Sequence, residues 1–229
     1  FTVNLGDIID RDQKDLDSVL ICLKHLNKKI FHTTGNHDYK GITDNKVLYK
    51  KLKMPSEYYS FMKKNWVFVF LNTNEIAAYS NVVGTAKEQE LLRIQNQIKV
   101  NKEIQGARWN GVSSRQLQWL DNLLKKSEKK NRNVLIFCHH PLYPRSQFTA
   151  LNNMEILDVI NRYNCVKAIF SGHHHSGAFG YFDHIPCNTV EGMIETPDKN
   201  SFGIVRIYKD RIELEGKERM TSRLFMLQP

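Results

Sequence analysis

The sequence predicts an α/β fold in which alternating strands and helices give way to antiparallel β structure near the C-terminus. Three observations predict it. Short apolar runs at residues 1–5, 29–33, 66–71, 134–137 and 166–170 each stop at a glycine or polar turn. Helical periodicity fills much of the space between them. Past residue 200 the pattern changes to short β runs around Lys209-Asp210.

The elements follow in order. Phe1 to Leu5 reads as a buried strand broken by Gly6. Leu16, Val19, Leu20, Leu23 and Leu26 recur at helical spacing and lead into the strand Lys29 to Thr33, which makes one βαβ unit. That strand ends in the turn Gly35-Asn-His-Asp38. Trp66 to Leu71 is a third buried strand, closed by Asn72-Thr-Asn74. Ala86 to Gln105 is polar and helix-prone with few apolar anchors, so it is expected to run over the surface as a candidate lid. Ser113 as N-cap with Gln116 at the third helical position predicts a capping box, and Leu117, Leu120 and Leu124 supply that helix's buried face. Val134 to Phe137 is a strand running into Cys138-His-His-Pro-Leu-Tyr-Pro144. Asn152 or Asn153 is expected to cap the helix carrying Leu157 and Ile160, which feeds the strand Val166 to Phe170 and then Ser171-Gly-His-His-His-Ser-Gly177. Ser201 to Tyr208 and Arg211 to Glu215 form a hairpin. No repeat, low-complexity tract or linker interrupts the pattern, so residues 1–229 are expected to form one domain.

Composition narrows the function. With 229 residues, 41% hydrophobic, the chain can bury a core, which excludes disordered and collagen-like classes. Its longest clean apolar run, Trp66 to Leu71, is far shorter than the roughly 20 residues of a membrane-spanning helix, so no membrane partner is expected. Cys22, Cys138, Cys165 and Cys187 lack paired spacing and read as free thiols, which fits a reducing compartment. The formal charge of +9 favours phosphate-bearing ligands. Its lysines are scattered over faces such as Lys50–Lys53 and Lys125–Lys130 without a recognition motif, so no nucleic-acid partner is expected. The chain opens in mid-strand without Met, as an internal segment of a longer protein would.

Chemistry is concentrated at strand ends, where open α/β sheets place their ligands. The strands ending at Leu5, Thr33, Phe137 and Phe170 are followed by Asp7, by Asn36 and His37, by His139, and by His173 and His175. Alternation sends His173 and His175 the same way and His174 elsewhere. Carboxylate, amide and imidazole donors without thiolate suit a catalytic site for Mn, Fe or Zn rather than a structural zinc site.

These motifs resemble the calcineurin-like metallophosphoesterase superfamily: Gly6-Asp7, Gly35-Asn-His-Asp38, His139 with Pro141, and Gly172-His-His-His175, in order along nearly the whole chain. The resemblance implies a four-layer α-β-β-α sandwich of two mixed sheets and a pair of divalent metal ions, manganese foremost. It implies that Asp7 bridges the metals, that Asn36, His139 and His173 complete one shell, that His175 binds the other ion, and that His37 faces the substrate. A closer similarity, to the manganese-dependent ADP-ribose/CDP-alcohol diphosphatases, rests on five stretches: Leu5-Gly-Asp-Ile-Ile-Asp10; Met54-Pro-Ser-Glu57; Asn110-Gly111 before Gln116-Leu-Gln-Trp-Leu120; Pro141-Leu-Tyr-Pro144; and Val190-Glu-Gly-Met-Ile-Glu-Thr196. It implies a small nucleoside diphosphate as substrate, cleaved by hydroxide generated at the metals. A phosphodiesterase acting on cyclic nucleotides, and a metal-binding scaffold without turnover, are the alternatives. The superfamily's first motif, an Asp with His or Gln two residues on, belongs to a strand that would precede Phe1 and is expected in the natural protein.

Around the metals, His37 is the candidate acid for the leaving oxygen, with Asp38 as its expected partner; the alternative makes His37 a third ligand. Tyr143 and Arg145 follow His139 closely enough to reach a substrate phosphate or base, or else are a packed ring and an exposed cation. Asp10 and Asp12 are supporting groups or solvated turn acids. Glu191 and Glu195 are expected to organise a loop near the metals, and His140 and His174 to stay out of direct ligation.

Overall fold

The computed structural model describes residues 1–10, 12–26, 28–101 and 110–227. In chain order the elements are β1 (Thr2–Asn4), α1 (Gln13–Lys24), β2 (Ile30–His32), a 3₁₀ turn at His37–Tyr39, α2 (Asn45–Lys51), β3 (Tyr59–Lys63), β4 (Trp66–Phe70), α3 (Ala86–Asn101), α4 (Ser114–Lys129), β5 (Asn133–Cys138), α5 (Asn153–Ile160), β6 (Val166–Ser171), β7 (Ala178–Phe182), β8 (Ile185–Thr189), β9 (Ser201–Ile207), β10 (Arg211–Glu218) and β11 (Arg223–Met226).

A six-stranded sheet in the order β3-β4-β5-β6-β8-β7 forms the centre. Its four inner strands are parallel, and β3 and β7 are antiparallel edges. Both faces are covered, which is why these strands read as continuous apolar runs. Val67, Val69, Val134, Ile136 and Cys138 face α4 and α5, whose Leu120, Leu124, Ile156 and Ile160 cover them. The alternate residues Phe68, Phe70, Leu135, Phe137, Ala168 and Phe170 face the opposite layer, built on Leu16, Leu48, Ile212, Leu214 and Phe225. Neighbouring rings on that side stack across strands, Phe70 on Phe137 at 5.0 Å and Phe137 on Phe170 at 5.7 Å. One residue of β6 breaks the alternation. Val134 pairs with Val166 but Leu135 with Ala168, so Lys167 is an extra residue in that ladder, and Val166 and Ile169 share a face.

The expected second mixed sheet is divided. Among the described residues, β1 and β2 form a two-stranded parallel ladder, and β9, β10 and β11 a separate antiparallel sheet in the order β11-β10-β9. Both contribute to the same apolar layer, so the sandwich holds while its second sheet is not continuous.

Several local expectations change. The α3 helix is seated by Leu91 and Ile94 on Ile76 and Leu151, so it has more anchoring than its polar sequence suggests; residues 102–105 of the expected excursion lie outside the described residues. Ser113 Oγ accepts from Gln116 N at 3.2 Å, but the Gln116 side chain turns to Asn72 instead of closing the capping box. The buried Glu75 carboxylate takes its place, accepting from Ser113 N and Oγ at 2.9 Å each and from Gln116 Nε2 at 2.6 Å. Asn152 occupies the N-cap of α5 without a capping bond; its side chain brackets the backbone of Val112 instead. All four cysteines are free. No helix among the described residues is long and apolar enough to cross a membrane.

Candidate metal centre

Two glycine-bearing loops meet backbone to backbone at the ends of β1 and β2. Gly6 adopts φ +93°, and a Cβ there would lie 2.5 Å from Gly35 N and 2.6 Å from His139 Nδ1. A Cβ on Gly35 would fall 2.0 Å from Asp7 Oδ1. No side chain fits at either position. Asp7 itself is held at φ 51°, a conformation a non-glycine residue keeps only when its surroundings enforce it. The enforcement is visible: Asp7 Oδ1 accepts from His37 N at 2.9 Å. The fully buried Asp38 carboxylate accepts from Asp7 N at 3.1 Å, Ile8 N at 2.9 Å and Gly35 N at 2.8 Å. Asp38 is therefore a staple between the two loops. Burial pushes its carboxyl up to about 6 against those N–H donors.

That geometry corrects one expectation: Asp38 is not the partner of His37. Asp10 is, at 2.7 Å from His37 Nδ1. The GDIID segment turns at Asp7 so that Asp10 returns beside His37, while Asp38, adjacent in sequence, points inward.

His139, at the end of β5, has a side chain only 1% exposed. Its Nδ1 lies 2.7 Å from the Leu5 carbonyl, which can only accept, so Nδ1 carries the proton and Nε2 the lone pair. Nε2 lies 3.2 Å from Asn36 Oδ1, 3.1 Å from His173 Nδ1 and 3.4 Å from Asp7 Oδ2. His173 follows β6 with φ 65°, and Gly172 N donates to the His139 carbonyl at 2.9 Å, tying the two strand ends together. Burial would raise Asp7, yet the imidazole of His139 and the N–H of His37 hold it well below the usual carboxylate range. Burial would lower His139, and Asp7 overrides it upward, so a proton and a metal cation compete for the Nε2 lone pair. His173, desolvated and next to His139, is pulled down to about 3 and presents a neutral ring.

A divalent cation fits this arrangement. Asp7 Oδ2 and Asn36 Oδ1 both crowd the lone pair of His139 Nε2 within 3.4 Å, with His173 Nδ1 beside them. Facing lone pairs repel until a positive charge sits among them. The Leu5 carbonyl behind His139 is the kind of outer partner that fixes a ligating imidazole. His140 is closer to the cluster than expected. Among the described residues, His139, His140 and His173 offer ring nitrogens within 4.8 Å of one another, and His140 Nδ1 is occupied by Thr73 Oγ1 at 2.9 Å. Burial, then His173 and His139, hold His140 well below the ordinary imidazole range.

The remaining candidates lie further out. His175 is 39% exposed, with Nδ1 2.5 Å from Glu195 Oε1. Glu191 accepts from Thr221 Oγ1 at 2.6 Å and braces that loop against the C-terminal sheet. His174 turns away and stacks on Phe148 at 4.3 Å. Tyr143 is half-buried, its ring 5.8 Å from that of Phe182 and against Gly180, while Arg145 is exposed. Asp12 is the N-cap of α1, accepting from Lys14 N at 3.0 Å. A cleft of about 480 Å³ opens beside Asn36 and His37, walled by Lys40, Ile42 and Tyr79. Nothing in the sequence marks Lys40 or Tyr79, which reach the cleft only through the fold.

Strand-end imidazoles, a turned Asp and a neighbouring Asn on a covered mixed sheet define a metal-binding phosphoesterase class, and sequence comparison places the chain in it. Residues 1–177 match the family model described as calcineurin-like phosphoesterase, and the chain belongs to that family. It is a metal-dependent phosphohydrolase. Among its relatives are proteins named manganese-dependent ADP-ribose/CDP-alcohol diphosphatase. The one from Bos taurus is 30% identical over 97% of this chain and 78% of its own length. The one from Oryza sativa subsp. japonica is 30% identical over 100% of this chain and 80% of its own. The crystal structure of a dimetal phosphatase from Danio rerio superposes with a TM-score of 0.87 at 27% identity, covering 99% of this chain and 83% of that one.

Proposed function

We propose that this chain splits the diphosphate of ADP-ribose or a CDP-alcohol into two phosphomonoesters, with two divalent metal ions of which manganese is the first choice. The observation that carries the reading is the convergence of Asp7, Asn36 and His173 on the lone pair of His139. It is supported by the names of the relatives that share this chain nearly end to end. Asp7, Asn36, His139 and His173 would hold one ion, and Asp7 and His175 would reach the other. Ions held there supply charge neutralisation on the phosphoryl oxygens and activation of water.

The chain's own groups do the rest. The loop staple of Asp38 sets the position of the Asp7 carboxylate before substrate arrives, so little reorganisation is left for the reaction. Asp10 takes up Nδ1 of His37, which makes Nε2 the atom through which His37 hands a proton to the departing oxygen. Tyr143 and Arg145 are assigned to the substrate-facing rim, with Tyr143 held by its packing on Phe182.

The test is to supply Mn²⁺ and follow ADP-ribose, CDP-choline and cyclic AMP by product chromatography, with His37→Ala alongside. AMP from ADP-ribose or CMP from CDP-choline, lost in the variant, is the expected result. Cleavage of cyclic AMP alone would replace this reading with a phosphodiesterase, and metal binding without hydrolysis of any of the three would remove the proposed substrates.

A further inference from the structure

The cleft beside Asn36 and His37 differs chemically from the imidazole floor next to it. Its walls are the Tyr79 ring, Ile42, Gly41 and the exposed Lys40. At about 480 Å³ it has the size of a small-ligand site. Tyr79 Oη donates to Asn74 Oδ1 at 2.5 Å, and Asn74 Nδ2 donates to the Thr34 carbonyl at 2.5 Å, so the hydroxyl is bound into the fold and the ring is what Tyr79 offers the cleft. Tyr39 supports it from below, its ring 6.0 Å away and its hydroxyl 2.9 Å from Thr34 Oγ1. Gly41 at φ +77° leaves that wall without a side chain. No carboxylate among the described residues pairs with the Lys40 ammonium. An aromatic face, an aliphatic contact and one uncommitted cation together match a purine or pyrimidine nucleoside carrying a phosphate.

We infer that this cleft receives the nucleoside monophosphate half of the substrate as the departing group, its base against Tyr79 and Ile42 and its phosphate beside Lys40. The inference rests on the diphosphatase reading. In an in-line displacement the entering and leaving oxygens lie on opposite sides of phosphorus. His37, the group that protonates the leaving oxygen, lines this cleft, so the cleft is on the leaving side. The phosphorus attacked is then the one distal to the nucleoside. The water oxygen bonds to that distal phosphorus as the bond from it to the bridging oxygen breaks. The bridging oxygen leaves on the nucleoside monophosphate with the proton from His37, and the attacking water's proton restores the balance. ADP-ribose thus yields AMP and a ribose 5-phosphate carrying the oxygen of water.

Hydrolysis of ADP-ribose by the full chain in H₂¹⁸O with Mn²⁺ reads this directly: the label is expected in ribose 5-phosphate. Calorimetric titration with AMP is expected to show affinity falling about tenfold in Lys40→Gln, as loss of one charge-assisted contact does, and falling in Tyr79→Leu while Tyr79→Phe retains it. Label in AMP, or equal AMP affinity in wild type and Lys40→Gln, overturns the inference and leaves the diphosphatase reading standing. If wild type cleaves bis(p-nitrophenyl) phosphate but no nucleoside diphosphate, the diphosphatase reading is what fails, and the AMP titration still decides whether the cleft binds a nucleotide.

Discussion

His139 and His175 are both imidazoles beyond a strand end whose Nδ1 is held by an oxygen, and they are held by opposite means. His139 is 1% exposed and leans on the Leu5 carbonyl at 2.7 Å; His175 is 39% exposed and leans on the Glu195 carboxylate at 2.5 Å. A backbone carbonyl cannot be substituted, carries no net charge and moves only if β1 moves. A carboxylate adds negative charge, titrates and can be replaced by one mutation. The inner half of the site is thus built by the fold, and the outer half is tuned by a side chain on a loop.

The difference can be broken from either side. His139→Ala removes the donor on which Asp7, Asn36 and His173 converge, and activity is expected to fall on the order of 10³-fold or more together with Mn²⁺ binding followed by calorimetry. His37→Ala leaves the inner donors in place; kcat is expected to drop on the order of 10²-fold while Mn²⁺ affinity is kept, and a parallel loss of affinity would make His37 a ligand instead. Asp38→Ala strands the N–H groups of Asp7, Ile8 and Gly35, which is expected to cost about 3 kcal/mol in urea unfolding. Glu195→Gln tests the outer half alone: affinity for the weaker metal is expected to fall about tenfold with folding stability unchanged.

A pH series sharpens the contrast between a buried imidazole with partners and one without. His32, on β2, is 4% exposed, its Nδ1 has no partner among the described residues, and burial holds it down at about 4. The unfolded chain takes up that proton near pH 6.5 and the native state does not until about 4. Stability is therefore complete above about pH 6.5 and is lost as pH falls through that window, by about 3 kcal/mol in all. Urea unfolding between pH 7 and 4 is expected to show a shallower pH slope in His32→Gln; an identical slope would place the sensitivity elsewhere.

The proposed metal donors were legible because each follows an apolar run, buried on both faces at β5 and β6 and partly buried at β1 and β2, and a glycine marks the turns after β1, β2 and β6. The ends of β1, β2, β5 and β6 could be placed that way. The partner of His37 could not, because sequence adjacency favours Asp38 and only the left-handed turn at Asp7 brings Asp10 round. Edge elements were equally silent. β3, β7 and β11 mix apolar and exposed positions, and α2 is too short to show a period, so their pairing partners rather than their own patterns define them. Glu75 illustrates the same limit: its buried carboxylate organises the start of α4 from 38 residues away.

The extra residue in β6 has a consequence for length variation. Val166 faces the helices and Ala168 faces the aromatic layer, so dropping Lys167 would restore plain alternation without moving either neighbour to the wrong face. Dropping Ala168 would put the Lys167 side chain into its buried place, and dropping Ile169 or Phe170 would invert faces beside the gap and swing the histidine loop out of line. The strand that aims His173 has a single slack position, and a one-residue deletion can be absorbed there and nowhere nearer the metal.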